Sequence, residues 1–182
     1  MVKSKTIDTK RNTKGVAVVM NLIILGSGGY GKTVADIAEQ LGYTIQFLDD
    51  AIPEAPLSSY FSLISEDSCF IPAFGNNSFR LEWIDKIQIA GGQLATLIHP
   101  TAYISPTATV APGTVVLPHA IINTDTVIER GCIINLGGIV DHGCIIEEGC
   151  HICLGAIVKG ENRVERLTKI EAGEVIEARR CQ

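Results

Sequence analysis

The stretch "IINTDTVIERGCIINLGGIVDHGCIIEEGCHICLGAIV" (Ile121–Val158) carries an Ile or Val at every sixth residue: Ile122, Ile128, Ile134, Val140, Ile146, Ile152 and Val158. The same phase extends back through Ile98, Ile104, Val110 and Val116 and forward through Val164, Ile170 and Ile176, and all fourteen positions are Ile or Val. An unbroken six-residue period predicts a left-handed parallel β-helix, each unit making one short strand and a corner, three units closing a triangular coil. The β-branched side chain points into the prism, where its stiff χ1 suits a pleated surface.

The slot two residues before each aliphatic holds Ala102, Ala108, Thr114, Ala120, Thr126, Cys132, Gly138, Cys144, Cys150 and Ala156. Only small side chains occupy it, so Cys132, Cys144 and Cys150 read as small hydrophobes packed inside the prism. The C-H-I-C run of Cys150 and Cys153 has redox or metal spacing on its face, but an inward Cys150 removes that geometry. Cys69 and Cys181 complete the six cysteines. No secretory signal accompanies them, so a reducing, cytoplasmic setting is expected. Pro100, Pro106, Pro112 and Pro118, then Gly131, Gly143, Gly149 and Gly155, gather at the corners as turn chemistry requires. A prism of about four coils exposes flat faces, and a homotrimer joined through them is the expected assembly.

The preceding segment has another logic. "NLIILGSGGYGKTVADIAEQLGYTIQFLDD" (Asn21–Asp50) reads as strand, glycine loop, helix from about Lys32 to Leu41, and a second strand over Thr44–Leu48. Gly26, Gly28 and Gly31 satisfy G-x-G-x-x-G, and Asp49 and Asp50 follow the second strand. Such a loop lets backbone amides approach a phosphate at a helix N-terminus, and the acid suits a ribose hydroxyl. Roughly 70 residues separate Met20 from the repeat, half a dinucleotide-binding domain, so a nucleotide-sugar fits better than NAD. A third strand in "CFIPAFGNN" (Cys69–Asn77) leads to an amphipathic helix in "SFRLEWIDKI", whose Arg80 is either a phosphate contact or a surface residue. The fold expected is a Rossmann-like βαβ subdomain over 20–94 followed by the β-helix over 95–182. Residues 1–19, basic over Met1–Lys14, read as a disordered leader. The apolar run from Val16 to Leu25 mimics a signal segment but passes straight into the glycine loop, and it is too short to span a membrane.

Six blocks, "GSGGYG", "GYTIQFLDD", "FGNN…R", "LIHPTAYISPTATV", "IINTDTVIERGCIIN" and "IVDHGCIIEEGCHICLGA", together resemble the sugar O/N-acyltransferases of the NeuD/PglD type, in order and spacing over residues 20 to about 160. The resemblance implies an acetyl-CoA-dependent enzyme, a UDP-4-amino-sugar as acceptor, and a trimer with its site at the subunit interface. It implies His142 as catalytic base and His151 on the acetyl-CoA side. It implies Asn135 near the sugar, the loop Gly26, Ser27, Gly28, Gly29, Tyr30 and Gly31 on the nucleotide-sugar, and the acidic pair Asp49 and Asp50 beside it. The family's loop histidine is Tyr30 here, and the acid that follows its base is Gly143. Relatives also continue with further coils that help to hold the CoA arm, whereas this sequence stops at Gln182.

The residues themselves suit that chemistry. An imidazole titrates near neutrality and accepts the proton of an attacking amine. His142 lies at a corner two residues after Val140, facing a cleft, with Asp141 beside it to orient or stabilise the ring. Gly160, eighteen residues on, is one coil along and roughly 4.8 Å away, so its backbone N–H is a candidate donor to the thioester carbonyl. His151 lies half a coil round the prism from His142, so the two converge only between neighbouring subunits. Direct attack needs no cysteine nucleophile.

The net charge of −5 disfavours nucleic acid as partner. A zinc enzyme on the same prism needs three converging histidines, and His99, His119, His142 and His151 stand 20, 23 and 9 residues apart, so no metal is expected. His99 and His119 read as packing or surface residues. The alternatives to amino-sugar N-acetylation are sugar O-acetylation of the sialic-acid type, and a non-catalytic nucleotide-sugar-binding trimer lacking the outer coils.

Overall fold

The computed structural model describes residues 20–178; the leader and Cys181 lie outside the described residues. Two compact units emerge. One runs to Gly75 and takes in Glu82–Ala95; the other comprises Asn76–Leu81 and the chain from Thr96 onward.

The first unit is built on a three-stranded parallel sheet, β1 (Asn21–Leu25), β2 (Thr44–Leu48) and β3 (Ser68–Pro72), in the order β2-β1-β3. The central strand is flanked on both sides, and Leu22, Ile23, Ile24 and Leu25 are accordingly buried, the near-continuous apolar run that buried parallel strands require. Helix α1 (Gly29–Gln40) joins β1 to β2 and turns Val34, Ile37 and Ala38 inward. It begins three residues before the predicted Lys32, because Gly28 already supplies an extended N-cap and Gly29 enters the helix. Ile23, Leu25, Leu48, Phe70, Trp83 and Ile87 form one core cluster. Helix α2 (Asn77–Ile89) contributes its first turn to the second unit and its remainder to the first.

The second unit is the prism. Fourteen two-residue strands, from Leu97–Ile98 to Val175–Ile176, recur six residues apart and stack into parallel sheets of five, five and four strands. The register is one coil throughout: Ile133 pairs with Val115 and His151, and Ile139 with Ile121 and Ile157. Every second strand residue is an aliphatic of the six-residue ladder. From Val116 to Val158 all are almost fully buried in one column, each contributing about 1.5–3 kcal/mol of burial against the entropy of ordering.

The small slot does more than save space. Thr114 and Thr126 donate to the carbonyls of Glu129 and Asp141, at 3.1 and 2.6 Å. The thiols of Cys132, Cys144 and Cys150 donate likewise to Glu147, Lys159 and Glu165, at 3.1, 3.2 and 3.0 Å. The predicted hydrophobic role is therefore incomplete: each buried hydroxyl or thiol tethers a corner carbonyl fifteen residues ahead. The corner residue just before the slot is left-handed in every unit from Gly113 to Gly173, and His119, Asp125, Glu161 and Leu167 take that conformation without being glycine.

No helix among the described residues is long and apolar enough to cross a membrane.

Candidate active site

His142 stands at the corner that follows Val140. Its Nδ1 lies 3.1 Å from Oδ1 of Asp141, whose same oxygen accepts the His142 backbone N–H at 2.8 Å. Asn123, one coil back, donates Nδ2 to that oxygen at 2.9 Å, while its own Oδ1 accepts the N–H of Thr124 at 2.8 Å. These hydrogen bonds, the Asn123 amide first, hold the Asp141 carboxyl down at about 2, so it is ionised across the working pH range. Asp141 thereby holds the Nδ1 side of the imidazole. Asn123, which holds this carboxylate, is not among the residues singled out from the sequence; its only signal is its distance of one coil from Asp141.

Gly160 lies directly against the His142 ring. A Cβ at Gly160 would come within 2.5 Å of Cε1 and 2.8 Å of Nε2, so the ring rests on bare backbone that only glycine offers. The stacking expected from one coil of spacing is present, with Gly160 as a floor under the His142 ring.

His151 sits on a different face, in the sheet that carries Ile133 and Lys169. A single chain does not bring it to His142: one is on a strand and the other at a corner between the two remaining sheets. Asn135 donates its amide to His151 Nε2 across 3.0 Å. Burial above all, then the positive charges of Arg80 and Lys169, push the imidazole down to about 4, so it is neutral at pH 7.

In the first unit the glycine loop is open on one side. A Cβ on Gly31 would collide with the Gly26 carbonyl, whereas one on Gly28 or Gly29 would meet nothing within 4 Å. The loop's inner glycines thus permit close helix–strand packing, and its outer ones leave open space at the start of α1. Tyr30 follows in the first turn. Asp49 Oδ2 accepts both the backbone N–H and the hydroxyl of Ser27, at 2.7 and 2.8 Å, and its Oδ1 accepts the Ala51 N–H. Asp50 accepts the Leu57 N–H at 2.9 Å. The acidic pair therefore orders the loop and the chain beyond it, and these N–H groups hold the Asp49 carboxyl below the usual range.

Arg80 is neither a phosphate contact nor a surface residue. It is 1 % exposed, its guanidinium donating to the carbonyls of Gly131 and Gly149 at 2.8 and 2.7 Å. Asn77 extends the clamp to Leu167 at 2.9 Å, so the first turn of α2 ties three successive coils at one corner. Burial raises the thiols of Cys132 and Cys150 to about 12 and 11, which makes them poor nucleophiles and poor ligands. Among the described residues, no three His, Cys, Asp or Glu side chains come together as a metal site.

Residues 21–87 match the family model described as the PglD N-terminal domain. Among solved structures, the acetyltransferase domain of PglB from Neisseria gonorrhoeae, in complex with acetyl coenzyme A, is 32% identical. The match covers 86% of this chain and 82% of that one, with a TM-score of 0.80. PerB from Caulobacter crescentus, in complex with CoA and GDP-perosamine, is 26% identical over 86% of this chain and 88% of that one, TM-score 0.75. A histidine-to-asparagine mutant of perosamine N-acetyltransferase from the same organism matches at 25% identity over the same shares, TM-score 0.75. No curated protein sequence matches the chain at a significant level.

Proposed function

The chain belongs to the NeuD/PglD-type sugar acetyltransferases, and from that membership we propose that it transfers an acetyl group from acetyl-CoA to the amine of a nucleotide-activated 4-amino-sugar, with UDP as the carrier. The observation that carries this reading is the Asn123–Asp141–His142 relay resting on Gly160. It offers one orientable base with a free Nε2, the apparatus that amine acylation needs. The neighbours that hold acetyl coenzyme A, or CoA with GDP-perosamine, support the two substrate classes.

In the proposed reaction the sugar amine attacks the thioester carbonyl in a ternary complex. The N–C bond forms as His142 Nε2 takes the amine proton. The tetrahedral oxyanion collapses, the C–S bond breaks, and the same proton passes to the departing CoA sulfur. Asp141 stabilises the imidazolium that forms between the two transfers. The backbone N–H of Gly160 is assigned to the thioester carbonyl, His151 to the acyl-donor side, and Asn135, hydrogen-bonded to His151, to the sugar. The open loop of Gly26, Ser27, Gly28, Gly29, Tyr30 and Gly31, ordered by Asp49 and Asp50, is assigned to the nucleotide-sugar.

The assembly proposed is a homotrimer. Tyr103, Ile121, Ile139, Ile157 and Val175 stack one coil apart on one outer face of the prism, and Tyr103 and Val175 are 54% and 43% exposed. Asp141 and His142 follow Val140 at the edge of that face, which supports a cleft closed by a second copy.

The deciding experiment measures CoA release from acetyl-CoA with UDP- and GDP-linked 4-amino-sugars, and identifies the product by mass and by N- versus O-linkage. His142→Ala is expected to lose on the order of 10²–10⁴ in kcat. Equal thiol release in the parent and in His142→Ala would sink the reading.

A further inference from the structure

Glu161 meets the His142 corner at three points. Its backbone N–H donates to the His142 carbonyl at 2.9 Å. It directly follows Gly160, on which the imidazole rests. Its Cγ lies 3.6 Å from where a Cβ of Gly143 would stand, so the side chain covers the bare glycine that follows His142. Leu167 bears the same one-coil relation to Gly149 at the next corner, and there the reason is packing: Leu167 is half-buried, with Cδ2 3.1 Å from the corresponding Cβ position. Glu161 is exposed, and among the described residues its carboxylate enters no hydrogen bond or ion pair. Glu147, Glu148, Glu171 and Glu177 each hold a Lys or Arg instead. Lys159, the cation just before Gly160, is already taken by Glu177 at 2.6 Å. The left-handed backbone at φ 59° favours glycine, and glutamate stands there with neither packing nor pairing in return.

Building on the acetyl-transfer reading above, we propose that Glu161 is a specificity-determining residue, which selects an amine over a hydroxyl as the acetyl acceptor. The reason is a count of donors. A neutral primary amine brings two N–H groups to the corner, whereas a hydroxyl brings one O–H. Whichever atom attacks, one hydrogen must face His142 Nε2. An amine then has a second N–H for the Glu161 carboxylate, which only accepts. A hydroxyl has spent its hydrogen and turns a lone pair toward that carboxylate. The contact is attractive for the intended acceptor and repulsive for its isostere, and selectivity draws on both. Glu161 forms no bond to the substrate: the proton still passes through His142, and the carboxylate holds the hydrogen that stays on nitrogen in the amide product.

The test compares two UDP-sugars that differ only in an amine or a hydroxyl at C4, each offered with acetyl-CoA to the full chain, with product read by mass. The quantity measured is the ratio of kcat/KM for the two acceptors. Glu161→Gly keeps the fold, as a thermal melt will show, and should narrow the ratio about tenfold through loss on the amine side. Glu161→Gln keeps the size but can turn an N–H to the hydroxyl oxygen, so it should narrow the ratio through gain on the hydroxyl side. An unchanged ratio in both variants overturns the inference, even where both acceptors slow together, and leaves the acetyl-transfer reading standing. A wild-type chain that acetylates the hydroxyl sugar faster than the amine overturns it as well. A wild-type chain that acetylates neither sugar overturns the acetyl-transfer reading itself, and the selectivity with it.

Discussion

The imidazole of His142 is seated on the backbone of Gly160, so closely that a Cβ there would come within 3.0 Å of three ring atoms, Cε1, Nε2 and Nδ1. Gly160→Ala is therefore expected to push the ring off its seat while leaving the prism folded. A displacement near 1 Å at a reacting group costs on the order of 10²-fold. The loss should fall on kcat, with the melting temperature changed by only a few degrees. Steady-state kinetics beside a thermal melt checks both halves; an unchanged kcat would show that the ring position is not catalytic.

On the proposed mechanism, the relay behind His142 makes a graded prediction. Asp141→Asn keeps the shape but removes the charge that stabilises the imidazolium, and should lower kcat by about 10²-fold or more. Asn123→Ala leaves the carboxylate but frees it to turn, and should cost roughly tenfold. Because the Asp141 carboxyl is held at about 2, no limb of the wild-type pH–rate profile between pH 3 and 6 should belong to it. A limb in that window that vanishes in Asp141→Asn would contradict the assignment.

The prism was legible from sequence because its contacts repeat along one dimension. A side chain every sixth residue meets its equivalents eighteen residues away, so the period itself states the fold. The same ruler turned Cys132, Cys144 and Cys150 inward and put His142 at a corner over Gly160. What escaped was whatever leaves that period. Arg80 reaches Gly131 and Gly149 across 51 and 69 residues, and no local pattern separates a buried clamp from a phosphate ligand. Asn123 went unnoticed since an asparagine at a corner is ordinary until its amide is seen on Asp141. That Asp49 also closes the loop by accepting from Ser27 depends on how the loop folds, which spacing does not convey.

Acid sensitivity should trace to His151. Its ring is held at about 4 in the folded chain against an ordinary 6.5. As pH falls through 6.5 the unfolded chain binds a proton that the folded chain refuses until about pH 4. This contribution is thus fully present above 6.5 and is lost progressively between 6.5 and 4. His99, also lowered by burial, acts in the same direction. Urea unfolding at pH 7, 6 and 5 should show a shallower decline in His151→Gln than in the wild type; equal slopes would mean that the buried ring does not govern this window.

The left-handed corners allow a paired stability test. Glu161 is exposed and occupies that conformation at φ 59°. An L-residue there pays about 1–2 kcal/mol, while glycine brings back about 0.5–1 kcal/mol of chain entropy. Glu161→Gly should therefore stabilise the fold by up to about 1 kcal/mol, a rise of roughly 2–4 °C in melting temperature for a chain of this size. Gly155 is the reciprocal case: its φ is 62° and a Cβ would meet nothing within 4 Å. Gly155→Ala thus isolates backbone strain from crowding and should lower stability by about 1 kcal/mol. Thermal melts of the two variants should move in opposite directions. Movement in the same direction would mean that packing, not the left-handed backbone, decides which residues the corners accept.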